Sequence, residues 1–227
     1  NDIPAGAKAW LYVDTGGTLI NGDRDSSIDL FGSDGTTLIE SDADDGTGNG
    51  SNGTTESLNS SSIAGRTLTA GGTYFIRVRG TGIPGTNVVN PYRLFIVIAA
   101  EPINPETEPN DSAATAEQLI AGIQSFLFSG NISSPTDLDF YSMQLSAGTT
   151  VFISVDGDPD RTGVDTLNGS VQLFGPGGTP PLMSPAVDSG PGGPGNSEAF
   201  AYLIPVSGIY SVRVSGTGIE SARNYHI

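Results

Sequence analysis

Alternation of apolar and polar residues is the dominant signal along this chain. "YFIRVRG", residues 74–80, sets Tyr74, Ile76 and Val78 on one face and Phe75, Arg77 and Arg79 on the other. "YSVRVSG", residues 210–216, turns Tyr210, Val212 and Val214 inward and Arg213 outward. "AWLYVD" at 9–14 and "VFISVD" at 151–156 are apolar runs that stop at Asp14 and Asp156. "LTAGGTYFIRV" and "PVSGIYSVRV" put a glycine turn directly before a strand. One stretch reads as a short helix, "SAATAEQLI" at 112–120, with Asp111 as its N-cap. The pattern predicts an all-β protein built from antiparallel strands with one face on a core.

The strands repeat. "AGAKAWLYVD" at 5–14 returns as "AGTTVFISVD" at 147–156, "SSIDLFGSDG" at 26–35 as "GSVQLFGPGG" at 169–178, and "GTYFIRVRGTGI" at 72–83 as "GIYSVRVSGTGI" at 208–219. Two tandem antiparallel β-sandwich modules, jelly-roll-like, are therefore expected, residues 1–100 and 101–227. They are unequal. The second is led in by an acidic segment, 101–111, then "FLFSGNIS" and "DLDFYSMQLS", and the first lacks this leader. The second stops at "ARNYHI", where the first runs on through "NPYRLFIVIAA". The chain reads as cut out of phase with its repeat, either a fragment or a unit whose missing strands come from neighbours.

Composition narrows the function classes. Glycine (32) and proline (15) favour turns over long helices. The net charge of −16, with only nine Lys and Arg, repels nucleic acid and anionic lipid and suits divalent cations. There is no cysteine, so no disulfide or thiolate chemistry. "RLFIVIAA" is too short to span a bilayer, so no membrane insertion is expected. The chain opens on "NDIPAGAKAW", so any secretion signal was removed or lies outside these residues. A secreted, extracellular or cell-surface protein is expected.

The stretch "EPINPETEPNDSAATAEQL", 101–119, concentrates oxygen ligands. Glu106 and Glu108 alternate in an extended segment, which puts both carboxylates on one side, and Asn110 and Asp111 follow. A solvated acidic linker with Asp111 as a helix cap and a metal site both fit these residues. Asp42, Asp44 and Asp45 precede Gly46, but the spacing to Glu56 departs from a calcium loop and no helix flanks it. Asp156, Asp158 and Asp160 also alternate, with Arg161 beside them as a pairing partner. Catalysis is not expected. The single histidine, His226, has no second histidine to complete a zinc site or a triad. The single lysine, Lys8, starts a strand, and the single tryptophan, Trp10, leaves no aromatic-rich cleft for paired carboxylates to work in. Sequons occur at Asn52, Asn59, Asn110, Asn131 and Asn168, with "NGTTESLNSSS" the best carrier of a glycan.

The second half resembles the bacterial pre-peptidase C-terminal domain, a relative of the collagen-binding domains of collagenases. Four motifs in order carry the resemblance: "ETEPNDSAATAEQL", "GNISSPTDLDFYSMQLSAGTTVFISVDG", "GSVQLFGPGG" and "YLIPVSGIYSVRVSG". The first half shares only the later strands. In calcium-binding members the acidic leading segment and the loop before the "DFY" strand cradle the ion. The resemblance thus implies a calcium site made of Glu106, Glu108, Asn110, Asp111, Asp137 and Asp139 that stiffens the junction between modules. Calcium's need for six to eight oxygens agrees with that set. The implied function is a non-catalytic extracellular calcium-binding region, acting as an adhesion, matrix-binding or spacer module on an extracellular polymer. The alternative is a structural subunit of a filament or sheath, built by strand exchange between sister subunits with incomplete sandwiches.

Overall fold

The computed structural model describes residues 2–15, 26–43, 60–80, 89, 92–100, 103–119, 125–164, 166–178, 180–182, 197–216 and 222–227. Among them there are strands and no helix. In the first half, β1 (Lys8–Asp14) lies between β4 (Ser61–Thr67) and β6 (Arg93–Ala99), antiparallel to both. A second sheet has β2 (Ser26–Phe31) between β3 (Leu38–Asp42) and β5 (Phe75–Gly80). Ala9, Leu11 and Val13 from one sheet meet Ile28 and Leu30 from the other, with Ile63 and Leu68, in one core. The predicted inward face of the strand at 74–80 is correct: Tyr74, Ile76 and Val78 pack against that core.

The second half repeats this plan and extends it. One sheet runs β13 (Ser197–Leu203), β11 (Thr150–Asp156), β15 (Arg223–His226), β9 (Phe128–Ile132), β7 (Asn104–Pro105). The other runs β12 (Gly169–Phe174), β14 (Gly208–Gly216), β10 (Asp139–Leu145), β8 (Glu117–Gln118). Ile132, Tyr141, Leu173, Phe200, Val212 and Tyr225 fill the core between them. Pairing makes the correspondence explicit. Asp14 faces Arg93 across β1 and β6, and Asp156 faces His226 across β11 and β15. The leader strands β7 to β10 widen both sheets of this half. Among the described residues the first half has no counterpart to them.

The expected helix at 112–120 does not form. Ser112 and Thr115 close a single turn through their hydroxyls, 2.8 Å apart, and Thr115 N–H donates to the Ser112 carbonyl at 3.0 Å. Glu117 and Gln118 then pair in parallel with Tyr141 and Ser142. Ser and Thr side chains that bond local backbone compete with a helix, and the sheet edge takes the following residues.

The halves meet face to face. β1 is buried on both sides: Leu11 and Val13 serve the first core, and Tyr12 turns to the second half. There Tyr12 stacks on Phe152 with ring centroids 5.6 Å apart, Phe95 lies 5.4 Å from the same ring, and Ala199 and Ala201 complete the contact. A strand covered on both faces reads as an unbroken apolar run, as "AWLYVD" does. Arg161 bridges the seam. It donates to Asp156 Oδ1 at 2.6 Å, to the Asp158 carbonyl at 2.6 Å and to the Ala64 carbonyl of the first half, and it pairs with Glu40 at 3.5 Å. Gly65 must be glycine here. Its φ is +63°, and a Cβ would stand 2.1 Å from Asp156 Oδ2.

Candidate metal centre

The leader enters the second half beside β9. Asn104 and Pro105 pair in parallel with Phe128 and Ser129, and Glu106 N–H donates to the Ser129 carbonyl at 3.0 Å. The chain then turns through a cis Glu108–Pro109 bond, and Phe140 N–H donates to the Asn110 carbonyl at 3.0 Å. That bond fixes the leader to the start of β10. Period two along β10 points Asp139 and Tyr141 to the same side.

Three carboxylates from two stretches meet there. Glu106, Glu108 and Asp139 each offer an oxygen, all within 4.8 Å of one another. Glu106 Oε1 accepts Asn131 N–H at 2.5 Å, and its Oε2 accepts the Tyr141 hydroxyl at 3.1 Å. Glu108 Oε2 accepts Asn110 N–H at 2.8 Å. Asp139 Oδ2 accepts the Tyr225 hydroxyl at 2.6 Å, and the hydroxyls of Tyr141 and Tyr225 lie 2.7 Å apart. Tyr225 reaches the cluster across Gly130, where a Cβ would come within 2.2 Å of its ring. Asp137 has one oxygen engaged by Ser133, from N–H at 2.6 Å and from the hydroxyl at 2.5 Å.

The site is electrostatically uncompensated. Burial, aided by the charges of Glu106 and Asp137, pushes the Asp139 carboxyl up to about 8 against the opposing Tyr225 hydrogen bond. Burial also raises Glu108, with Asp137, Glu106 and Asp111 adding repulsion. Tyr141 and Tyr225 are pushed upward by burial and stay neutral donors. Among the described residues no ion pair reaches Glu106, Glu108 or Asp139. Asn110 and Asp139 are fully buried, yet Asn110 Oδ1 and Asp139 Oδ1 have no hydrogen-bond partner. Each such orphan costs about 1–3 kcal/mol unless something else satisfies it.

These residues fit a hard cation. Calcium–oxygen bonds of about 2.3–2.6 Å place opposite ligand oxygens roughly 4.6–5.2 Å apart, and the three carboxylate oxygens, within 4.8 Å of one another, could share one such ion. The donors are all oxygens, which suits calcium over softer metals. Of the six residues singled out by resemblance, Glu106, Glu108, Asn110 and Asp139 come together, with Asp137 at their edge. Asp111 is exposed and stands outside the cluster. Tyr141 and Tyr225 were missed by sequence reasoning. Tyr141 stands two residues after Asp139 and so shares its face, and Tyr225 of "NYHI" matches Tyr92 of "NPYR" in the repeat.

The other acidic stretches behave differently. Asp156 pairs with Arg161, and Asp158 accepts N–H groups of Thr162 and Gly163 at 3.2 and 3.1 Å. Asp160 accepts Thr162 N–H at 3.1 Å. Asp42 accepts Ser62 N–H at 2.6 Å. Asp44, Asp45, Gly46 and Glu56, with the sequons at Asn52 and Asn59, lie outside the described residues. The Asn110 side chain is buried, Asn131 donates to Asn224 Oδ1 at 2.7 Å, and Asn168 is exposed. His226 is half-buried between β11 and β9, and burial, with Lys8 and Arg161 nearby, holds it down at about 4. The expected link between the metal site and the module junction takes a different form. Every residue of the cluster belongs to the second half, and the halves are joined by Arg161 and the Tyr12–Phe95–Phe152 stack instead.

An all-β sandwich pair with an acidic cluster beside β10 is the class that fold and site define. Residues 137–216 match the model of the family described as bacterial pre-peptidase C-terminal domain. The resemblance read from the motifs therefore holds for that span, which contains Asp137, Asp139 and Tyr141; the leader and the first half lie outside it. Among solved structures the chain is similar to PliG of Salmonella Typhimurium, a periplasmic inhibitor of g-type lysozyme, at 21% identity over 49% of this chain and 94% of that one, TM-score 0.32. It is also similar to the pre-peptidase C-terminal domain of a Bacillus anthracis collagenase, at 12% identity over 56% of this chain and 96% of that one, TM-score 0.33. A mutant of the Escherichia coli PliG matches at 20% identity over 49% and 94%, TM-score 0.31. No curated protein matches the chain.

Proposed function

We propose that this chain is a non-catalytic, extracellular calcium-binding region that serves a secreted or surface protein as an adhesion, matrix-binding or spacer module. The observation that carries the reading is that Glu106, Glu108 and Asp139 bring carboxylate oxygens within 4.8 Å of one another while Asn110 Oδ1 and Asp139 Oδ1 are buried without a hydrogen-bond partner. Calcium would be held by these residues and would neutralise their mutual repulsion, fastening the leader to β10 and, through Tyr225, to β15. The family match over 137–216 supports a module appended to a larger secreted protein. A protein saturated with calcium and then stripped with EDTA should melt earlier. Binding at a hundredfold excess over Kd stabilises by about 2.7 kcal/mol. An unchanged melting temperature after stripping would sink the metal assignment.

A second reading, a structural subunit of an extracellular filament or sheath, is favoured by one observation. The core-side residues of β6 are exposed. Sedimentation of the native protein distinguishes the two: a monodisperse monomer removes the filament, and large concentration-dependent assemblies favour it.

A further inference from the structure

We propose that the end of the second half opposite the acidic cluster is a lipid-docking tip, whose Leu203, Val206 and Ile209 enter the headgroup boundary of a zwitterionic membrane surface. The proposal goes beyond the calcium reading and does not depend on it, because the tip shares no residue with the acidic cluster.

The second half is polarised along its strands. β10 starts at Asp139 and ends at Leu145, opposite Gly208, and β11 runs from Thr150, opposite Leu203, to Asp156. At about 3.3 Å per residue, roughly 20 Å separates the two ends. Asp139 and Asp156 stand at one end. The loops at 146–149, 175–178 and 204–207 build the other. Residues 140–155, 166–187 and 199–212 contain no charged side chain, in a chain of net charge −16. At this uncharged end Leu203 is 39% exposed, Val206 62% and Ile209 63%, and Pro176 and Pro205 are exposed beside them. Tyr202 and Tyr210 point into the core, so Leu203 and Ile209 point outward from different sheets, with Val206 in the connection between them. The tip is a wedge, apolar on both flanks.

The first half supplies an internal control. Its equivalent loop closes in the same way. Gly6 N–H donates to the Leu68 carbonyl at 2.7 Å and Leu68 N–H to the Ala7 carbonyl at 2.8 Å, as Gly148 donates to Ile204 and Ile204 to Thr149, both at 2.8 Å. The Tyr74 hydroxyl donates to the Ala70 carbonyl at 2.5 Å, as the Tyr210 hydroxyl does to that of Val206 at 2.6 Å. Yet the first half has Thr67, Ala70 and Thr73 where the second has Leu203, Val206 and Ile209. Closing the loop therefore needs no large apolar side chain there, and contiguous exposed apolar surface marks a contact.

The backbone of the tip is already paired, as entry into an apolar phase requires. Ala147 N–H donates to Ser207 Oγ at 2.9 Å, Thr149 N–H to the Ser146 carbonyl at 3.2 Å and Gly178 N–H to the Gly175 carbonyl at 2.9 Å. Pro176 and Pro205 have no N–H to satisfy. Charge and shape select the partner. The tip has no cation to draw it to anionic lipid, and the net charge repels such lipid. A protein interface sets an apolar centre within a polar rim, whereas a wedge apolar on both flanks suits a phase that surrounds it. This is docking at the interface, not a span.

The test is flotation of the full chain with phosphatidylcholine vesicles, in EDTA and in calcium, at low salt and at about 0.5 M NaCl, where ionic attraction is screened. Binding is expected under every condition, weakened at least about tenfold by the double variant Val206→Asp, Ile209→Asp. Both positions are exposed, so its melting temperature should match the wild type. Val164→Asp, exposed near the acidic end, and Ile96→Lys, on the exposed row of β6, should leave binding unchanged. The chain has no cysteine, so an environment-sensitive dye on Val206→Cys should shift to the blue on vesicles. No binding by the wild type, binding that needs anionic lipid or calcium, binding indifferent to the double variant, or an unshifted dye on bound protein overturns the proposal. So does self-association of the chain alone that the double variant abolishes while vesicles stay bare, which would make the tip a protein contact.

Discussion

Two buried aspartates, Asp139 and Asp156, end or begin equivalent kinds of acidic stretch, and they meet different fates. Burial raises both carboxyls. Asp156 has Arg161 against it, which draws it back to about 6, whereas Asp139 has only a tyrosine hydroxyl and stays near 8 among like charges. The spacing of acids along the chain is alike in the two places: Glu106 and Glu108 alternate as Asp156, Asp158 and Asp160 do. The difference is who neutralises them. In "DGDPDRTG" the loop supplies its own cation and its own N–H groups. In "ETEPND" followed by "DLDFY" the chain supplies oxygens from two stretches and, among the described residues, no cation.

Removing the internal cation should have the largest effect. Arg161→Ala leaves Asp156 and Glu40 buried without it, and a loss of about 3 kcal/mol is expected. Denaturant midpoints would measure it, and calcium should not restore the lost stability. Recovery with calcium would show that the two stretches are interchangeable and break the comparison. Next in size is chelation, worth about 2.7 kcal/mol at hundredfold saturation. It should act on the wild type and on Arg161→Ala equally, since the two sites share no residue.

A pH-dependent effect comes from the proton on Asp139. In the folded apo protein its pKa is about 8, against 3.8 when unperturbed. The folded state thus keeps a proton that the unfolded chain gives up. This contribution is full below about pH 4 and is lost as pH rises through about 8. Asp139→Asn should flatten that decline in EDTA and raise apo stability at pH 8, while abolishing the calcium-dependent gain. Thermal melts across pH in EDTA would show it; an unaltered pH profile would place the proton elsewhere. Smallest is Asp111→Asn. Its side chain is exposed and outside the cluster, so stability should move by less than about 0.5 kcal/mol and calcium affinity little. A collapse of affinity would mean that the Asp111 loop closes over the ion.

Much of this was legible in the sequence because strands announce themselves by period two. Tyr74, Ile76 and Val78, and Tyr210, Val212 and Val214, face inward as the alternation requires. The repeat also set "NPYRLFIVIAA" against "ARNYHI", and Tyr92 is exposed where its counterpart Tyr225 is buried. The helix at 112–120 was misread because "SAATAEQ" has good helix formers, while local hydroxyl bonds and pairing with β10 decided its conformation. Asp111 was included by resemblance to the family's acidic segment, but its exposed carboxylate is not among the three oxygens that meet. Tyr225 lay far from the acids in sequence, and only the pairing of β15 with β9 brings its hydroxyl to Asp139.

Calorimetric titration of the chelator-stripped protein with calcium, beside Asp139→Asn, tests the central claim most directly. Binding at one site with proton release near pH 7 in the wild type, and no heat from the variant, is the predicted result. Silence from the wild type, or equal binding by both proteins, would contradict it.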